Sequence, residues 1–282
     1  MAKLGQHFLK NKTKLRKIVE ALELKDGDVV IEIGPGHGEL TDELRSANHK
    51  LKIIAIEKDE ELAESLKEKF KNNKNIKIIE GDALKLLPQL TDDQRLTIYD
   101  KRLTTDNYKI AGNIPYYITG YLFRILGELE NKPSLIVLLI QKEVAERVCA
   151  RPPKMSLLAA SVQFWAEPKI ISNVSKKDFR PAPKVDSAII KLSPTRKYAE
   201  QNAEKRGKYY SLVKILFKQP RKTIVNNLVL SIKYQVSGVN KKEKIIEKLR
   251  EIGIEPNARP QDLSVEEIVK LIKLIKGSHE LI

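Results

Sequence analysis

Residues 111–117 read AGNIPYY, and they close an otherwise apolar run, YKIAG, with the Asn113 amide, a proline-fixed turn and two aromatics. That composition makes a poor core and a poor generic loop. It suits the holding of one flat ring that bears an amino group. Such a nitrogen is a weak nucleophile because its lone pair is delocalised into the ring. Two acceptors aimed at its N–H bonds draw it toward tetrahedral geometry and restore the lone pair. The Asn113 side-chain carbonyl is one acceptor. The other is a backbone carbonyl, assigned to Ile114, which Pro115 pushes toward the extended region. Tyr116 is placed to stack on the ring and so supplies position. Phe179, in the Pro-stiffened segment DFRPAPKVDSA, is expected to cover the other face. No strong base is required, since the proton becomes acidic once the nitrogen is alkylated. The chemistry that fits is electrostatic and proximity catalysis of an in-line methyl transfer from a sulfonium. A plain strand-end turn is the competing reading of the tetrad taken alone.

A donor of that kind needs its own site. VVIEIGPGHGEL (29–40) is a strand, a Gly34-Pro35-Gly36-His37-Gly38 loop and a helix start. Glycines at such a point let the backbone approach a ligand at a helix N-terminus. Glu57 ends the next strand, LKIIAIEKD, where a carboxylate accepts from ribose hydroxyls. Asp82, in IIEGDAL, ends the third, where it can meet an adenine amino group. Glycine loop plus acid serves dinucleotide enzymes and S-adenosylmethionine methyltransferases alike. The G-x-G-x-G spacing, Asp82 and the tetrad favour the second. For Glu57 and Asp82 the competing reading is helix N-terminal capping.

The elements that must position these groups are legible. DVVIEIG, LKIIAIE, NIKIIEG, YKIAGN and SLIVLLIQ are near-continuous apolar runs, as strands buried on both faces should be. Amphipathic stretches separate them; in DEELAESLKEKFKN, Leu62, Leu66 and Phe70 recur every four residues. The alternation predicts an α/β, doubly wound, Rossmann-like parallel sheet. Two further runs, KIISNVS and VDSAIIKLS, are spaced like a hairpin and predict a sheet that ends in an antiparallel strand. After Pro194 the pattern is helical, with Gly253 closing one helix and Ser264 and Glu267 forming a capping box for the next. The expected domains are therefore 1–194, catalytic and cofactor-binding, and 195–282, small, basic and all-α.

Lys and Arg number 52 against 37 Asp and Glu, a net charge of +15. Residues 195–282 hold 19 basic and 10 acidic side chains, a surplus of nine. Lys214, Lys218, Arg221 and Lys222 are expected on consecutive helical turns as a phosphate-contacting face. A merely solvated basic surface is the alternative. One cysteine, Cys149, excludes an intramolecular disulfide framework and offers no metal cluster. LIVLLI (135–140) is far too short to span a membrane. The opening MAKLGQHFLKNKTK lacks an apolar signal-peptide core. The cytoplasm is the expected location.

The motifs in order resemble those of the rRNA adenine N6,N6-dimethyltransferases. They are GQHFL (5–9), EIGPGHGELT (32–41), IEKD (56–59), GDAL (81–84), GNIPYYI (112–118), QKEVAERV (141–148), FRPAPKVDSA (179–188), FKQPRKTIVNNL (217–228) and RPQDLSVEEIVKL (259–271). The resemblance implies S-adenosylmethionine as cofactor. It also implies two adjacent adenines near the 3′ end of small-subunit, 16S-type rRNA as target, methylated during ribosome assembly, with the enzyme a monomer. Its cofactor contacts fall on His7, Leu9, Gly34, Glu57, Asp82 and Asn113, with Gly36 in the same loop. Its target-base contacts fall on Asn113, Ile114, Tyr116 and Phe179.

This chain departs from the family pattern in several places. His7 stands where Asn is usual, and His37 where an aliphatic residue is common. Thr119-Gly120-Tyr121 replaces a Ser/Thr-Pro turn, the loop ARPPKMS is short, and Pro220 takes the place of a basic residue. Large-subunit rRNA methyltransferases of the macrolide-resistance type share the fold and tetrad. The segments RKTIVNNL and RPQDLSVEEI favour the small-subunit type. A ribosome-assembly factor with little catalysis and an NAD-linked oxidoreductase are the remaining alternatives.

Overall fold

The structure, a computed structural model, describes residues 6–92, 108–195, 203–231 and 241–275. A two-residue β1 (Phe8–Leu9) and α1 (Lys12–Ala21) precede the regular alternation. The alternation runs β2 (Val29–Ile33), α2 (Glu39–Ala47), β3 (Lys52–Glu57), α3 (Glu60–Phe70), β4 (Ile76–Glu80) and α4 (Ala83–Asp92). Then come β5 (Tyr108–Asn113), α5 (Thr119–Glu128), β6 (Leu135–Gln141) and α6 (Lys142–Cys149). The 3-10 turn Tyr116–Ile118 joins β5 to α5. Next are α7 (Leu157–Gln163), β7 (Ala166–Val174), β8 (Phe179–Arg180) and β9 (Ser187–Pro194). The last helices are α8 (Ala203–Leu216), α9 (Ile224–Ser231), α10 (Lys241–Glu251) and α11 (Val265–Ile275). Among the described residues no helix is long and apolar enough to cross a membrane.

Seven strands form one sheet in the order β4-β3-β2-β5-β6-β9-β7. The five from β4 to β6 pair in parallel. Every residue of β2 and all but the last of β6 are buried, because helices cover both faces. The reversed strand is β9, which pairs antiparallel with β6; β7 then pairs antiparallel with β9 and forms the edge. The sheet thus ends one strand beyond its reversal. From β2 the chain crosses to β3 and β4 on one side, then returns to β5 and β6 on the other. In such a sheet the ligand crevice lies at the strands' C-terminal ends, where the crossovers diverge. Here that point is between β2 and β5. Ile33 is paired with Gly112 there, so the glycine loop and Asn113 emerge side by side. A Cβ at Gly112 would lie 2.5 Å from the Ile33 carbonyl oxygen, so only glycine allows this approach.

The chain packs as two compact units, Met1–Glu146 with Ala166–Pro194, and Arg147–Trp165 with Thr195–Ile282. Pro194 ends the first unit, but Arg147–Trp165, read from sequence as part of the catalytic domain, packs with the helices. The cause is apolar. Met155, Ala159, Ala160 and Phe164 share one core with Tyr209, Leu212, Leu216 and Leu228. The Phe164 ring stacks on Tyr209 at 3.8 Å, and the Tyr209 hydroxyl donates to the Ala160 carbonyl at 2.9 Å. In the same unit Gly253 ends its helix with φ at +73°. The Ser264–Glu267 capping box forms in both directions, at 3.2 and 2.8 Å.

Candidate active site

Glu57, 4% exposed at the end of β3, organises the glycine loop. One of its oxygens accepts the Gly36 N–H at 3.0 Å; the other accepts the N–H groups of Lys58 and Asp59 at 2.9 Å each. Burial pushes its pKa up from the ordinary carboxylate value, against the lowering effect of these N–H donors. A carboxylate offers about four lone-pair directions, so these three bonds leave capacity for a ligand hydroxyl. The cap of α3 is Asp59, which accepts the Leu62 N–H at 3.2 Å. Glu57 is therefore not the cap. Gly36 has φ +61°, and a Cβ there would lie 2.7 Å from the Phe8 ring. Phe8 in turn packs on His37 at 4.4 Å between ring centroids, which gives the unusual histidine a packing partner.

Asp82 has two bonds of its own. One oxygen accepts the Leu84 N–H at 3.0 Å, capping the start of α4, and the other accepts the Lys58 ammonium at 2.9 Å. Burial pulls its pKa upward, but the Lys58 and Leu84 bonds outweigh it and hold the carboxyl below its ordinary value. For Asp82 the capping reading is thus correct, and the side chain also lines a hollow. That hollow adjoins a second, and Gln6, Gly34, Glu57 and Pro115 line both. The first also takes in His7, Asn113, Ile114 and Tyr116; the other takes in Lys58, Asp82 and Tyr117.

The tetrad is held from outside itself. The Asn113 side-chain amide donates to the His7 main-chain carbonyl at 2.7 Å. That bond fixes which end of the amide is the oxygen and leaves Oδ1 as an acceptor. The His7 ring is tied in turn, Nδ1–H donating to the Pro181 carbonyl at 2.9 Å. In neutral imidazole, Nε2 then carries the lone pair. The Ile114 N–H donates to the Leu139 carbonyl at 3.0 Å, and its side chain is buried. The Tyr116 hydroxyl bonds the fully buried Ser187 hydroxyl at 2.9 Å. Burial pushes the Tyr116 pKa up, so the phenol stays neutral. One wall of the hollow therefore carries a fixed amide oxygen beside a tethered, half-buried ring.

A sequence model of the family described as ribosomal RNA adenine dimethylase matches residues 1–276. The chain belongs to this family. As a ribosomal RNA adenine dimethylase it is a methyltransferase, and its methyl donor is S-adenosylmethionine. Two relatives bear the name ribosomal RNA small subunit methyltransferase A. One, from Dehalococcoides mccartyi, is 39% identical over 94% of this chain and 84% of its own length. The other, from Fusobacterium nucleatum, is 33% identical over 98% and 97%. The crystal structure of a dimethyladenosine transferase from Plasmodium falciparum aligns with TM-score 0.75 at 28% identity, covering 97% of this chain and 100% of that one.

Several residues expected at the dimethylase site fall together and others do not. His7, Gly34, Gly36, Glu57, Asp82, Asn113, Ile114 and Tyr116 line the two hollows. Leu9 and Phe179 do not. They are directly opposed on the β1–β8 ribbon, at 3% and 5% exposure, and opposed residues of an antiparallel pair share a face. Their face is the core, with Leu15, Ile18 and Ile189. The ribbon's other face presents Phe8 to the glycine loop. Phe8, Lys58 and Ser187 were therefore missed by reading the sequence. The signals were present in GQHFL, IEKD and KVDSA, but only strand register says which side chain faces the cleft. In the helical unit Lys214, Lys218, Arg221 and Lys222 are all exposed. Only Lys214 is helical; α8 ends at Leu216, and the other three lie on the turn that follows. The buried Asn227 fixes that turn, its amide donating to the carbonyls of Gln219, Lys222 and Thr223 at 3.1, 3.3 and 3.2 Å.

Proposed function

We propose that this protein N6,N6-dimethylates two adjacent adenines near the 3′ end of small-subunit rRNA during ribosome assembly, acting as a cytoplasmic monomer. The names of its relatives support the subunit, and one contact supports the chemistry: the Asn113 amide, oriented by the His7 carbonyl at 2.7 Å. Gly34, Gly36, Glu57 and Asp82 would hold S-adenosylmethionine, with Glu57 on the ribose hydroxyls and Asp82 on the adenine. Bound there, it supplies a methyl group made electrophilic by a positive sulfur.

The chain's own residues prepare the acceptor. Asn113 Oδ1 takes one N–H of the target amino group and the Ile114 carbonyl takes the other, which localises the nitrogen lone pair. Tyr116 stacks on the base, with its hydroxyl tether to Ser187 limiting the ring's tilt. Phe8 shields the glycine loop. The N–H proton, acidified by alkylation, passes to solvent, so no side chain with a matched base pKa is needed. Lys214, Lys218, Arg221 and Lys222 contact phosphates. The test is transfer of labelled methyl from S-adenosylmethionine to undermethylated small subunits, followed by mapping. Label on two neighbouring adenines near the 3′ end is the expected result. Label confined to large subunits, or none on either, contradicts the proposal.

A further inference from the structure

The turn Thr119-Gly120-Tyr121 departs from the family pattern and takes no part in the mechanism above. The structure gives it a surface. Tyr121 is 56% exposed and Tyr117 is 63% exposed, both large aromatic rings in water. Single exposed tyrosines are ordinary. These two stand four residues apart, where the 3-10 turn runs directly into α5, a spacing that puts side chains on one helical face. Tyr117 also lines the hollow that contains Asp82, so the pair starts at the rim of the active site. The residue before Tyr121 is open to solvent: a Cβ at Gly120 would meet nothing within 4 Å. A cation stands near each ring in the fold. Lys58 lines the same hollow as Tyr117, and Arg124 follows Tyr121 by three residues on α5. Both cations are exposed, and each is paired with a carboxylate, Asp82 and Glu128 respectively, at 2.9 Å.

We propose that Tyr117 and Tyr121 form a stacking platform for unpaired bases of the RNA strand that flanks the target adenine. Successive aromatic rings beside cations are what a single strand uses: bases stack on the faces while phosphates meet the charges. An apolar protein partner would use the rings but has less need of flanking cations. The platform rests on the reading that the substrate is rRNA, and it adds a site outside the catalytic tetrad. Tyr121 isolates it, because this residue stands one turn beyond the hollow and its exposure makes substitution harmless to folding.

The measurement is filter binding of undermethylated small subunits and of a single-stranded RNA dodecamer spanning the target adenines, across a salt series. Wild type, Tyr121→Ala and Tyr121→Phe are compared, with S-adenosylmethionine affinity measured by calorimetry for each. Tyr121→Ala should weaken RNA binding by roughly 5- to 100-fold at every salt concentration, the range set by loss of one stacked base. Its log–log salt slope should match wild type, since stacking releases no counterions. Tyr121→Phe should bind within about twofold of wild type because the ring face is retained. Cofactor affinity should be equal in all three. Wild-type binding by Tyr121→Ala, an equal loss in Tyr121→Phe, or a flattened slope each overturns the platform. Wild-type protein that fails to methylate the small subunit overturns the functional reading instead, so the two failures are separable.

Discussion

At the scale of single residues, what distinguishes this site is how its polar atoms are already engaged. Glu57 receives three backbone N–H groups, one on one oxygen and two on the other. Even Glu57→Gln must therefore turn an NH2 against at least one donor. It should weaken S-adenosylmethionine binding by about 1–3 kcal/mol, and calorimetry showing unchanged affinity would count against Glu57 as the loop's organiser. Glu32 is a different case. It is fully buried in β2, accepts the Thr41 hydroxyl at 2.6 Å, and burial pushes its pKa from 4.5 to about 8. The folded state thus binds a proton that the unfolded chain releases. Its contribution is complete below about pH 4.5, declines as pH rises toward 8, and changes no further above that. Glu32→Gln should remove this decline, a difference on the order of a few kcal/mol between the ends of the window. Urea unfolding of both proteins at pH 5 and pH 9 reads it directly; parallel pH dependence would show that Glu32 is charged when folded.

At the scale of elements, Arg147–Trp165 shows where packing overrides sequence order. Phe164, 1% exposed, lies on Tyr209 inside the helical core. Phe164→Ala should lower the stability of that unit by about 3–5 kcal/mol and leave cofactor affinity unchanged. The only tryptophan, Trp165, belongs to the same unit, so its fluorescence reports the unfolding. A loss of cofactor binding with unshifted tryptophan unfolding would place the segment in the other unit. Much of the fold was legible beforehand because parallel strands buried on both faces leave continuous apolar runs. The glycine loop, Glu57 and the tetrad were legible because each ends such a strand. Asp82 instead follows β4, an edge strand with no buried residue, so the expectation that NIKIIEG is buried on both faces does not hold. The segment 147–165 was not, since its apolar residues announce burial without naming the core they join. Phe179 was expected over the target base and Phe8 was given no role, for a related reason. A two-residue strand carries no alternation from which to read its inward face, and only the pairing of Leu9 with Phe179 decides it.

At the scale of the whole molecule, the charge surplus and the tetrad make separable predictions. Arg221 and Lys222 lie on a turn pinned by Asn227. Replacing both with Ala should flatten the log–log salt dependence of small-subunit binding by up to about two units. Coincident slopes would make the turn a solvated surface only. The central claim is that an oriented amide oxygen, and no general base, activates the adenine nitrogen. It is tested by single-turnover methyl transfer to undermethylated small subunits with Asn113→Ala beside wild type, at saturating S-adenosylmethionine. Loss of one preorganised acceptor costs about 3–4 kcal/mol of transition-state stabilisation, so the rate should fall by roughly two to three orders of magnitude with RNA affinity retained. A variant that methylates at near the wild-type rate would contradict it.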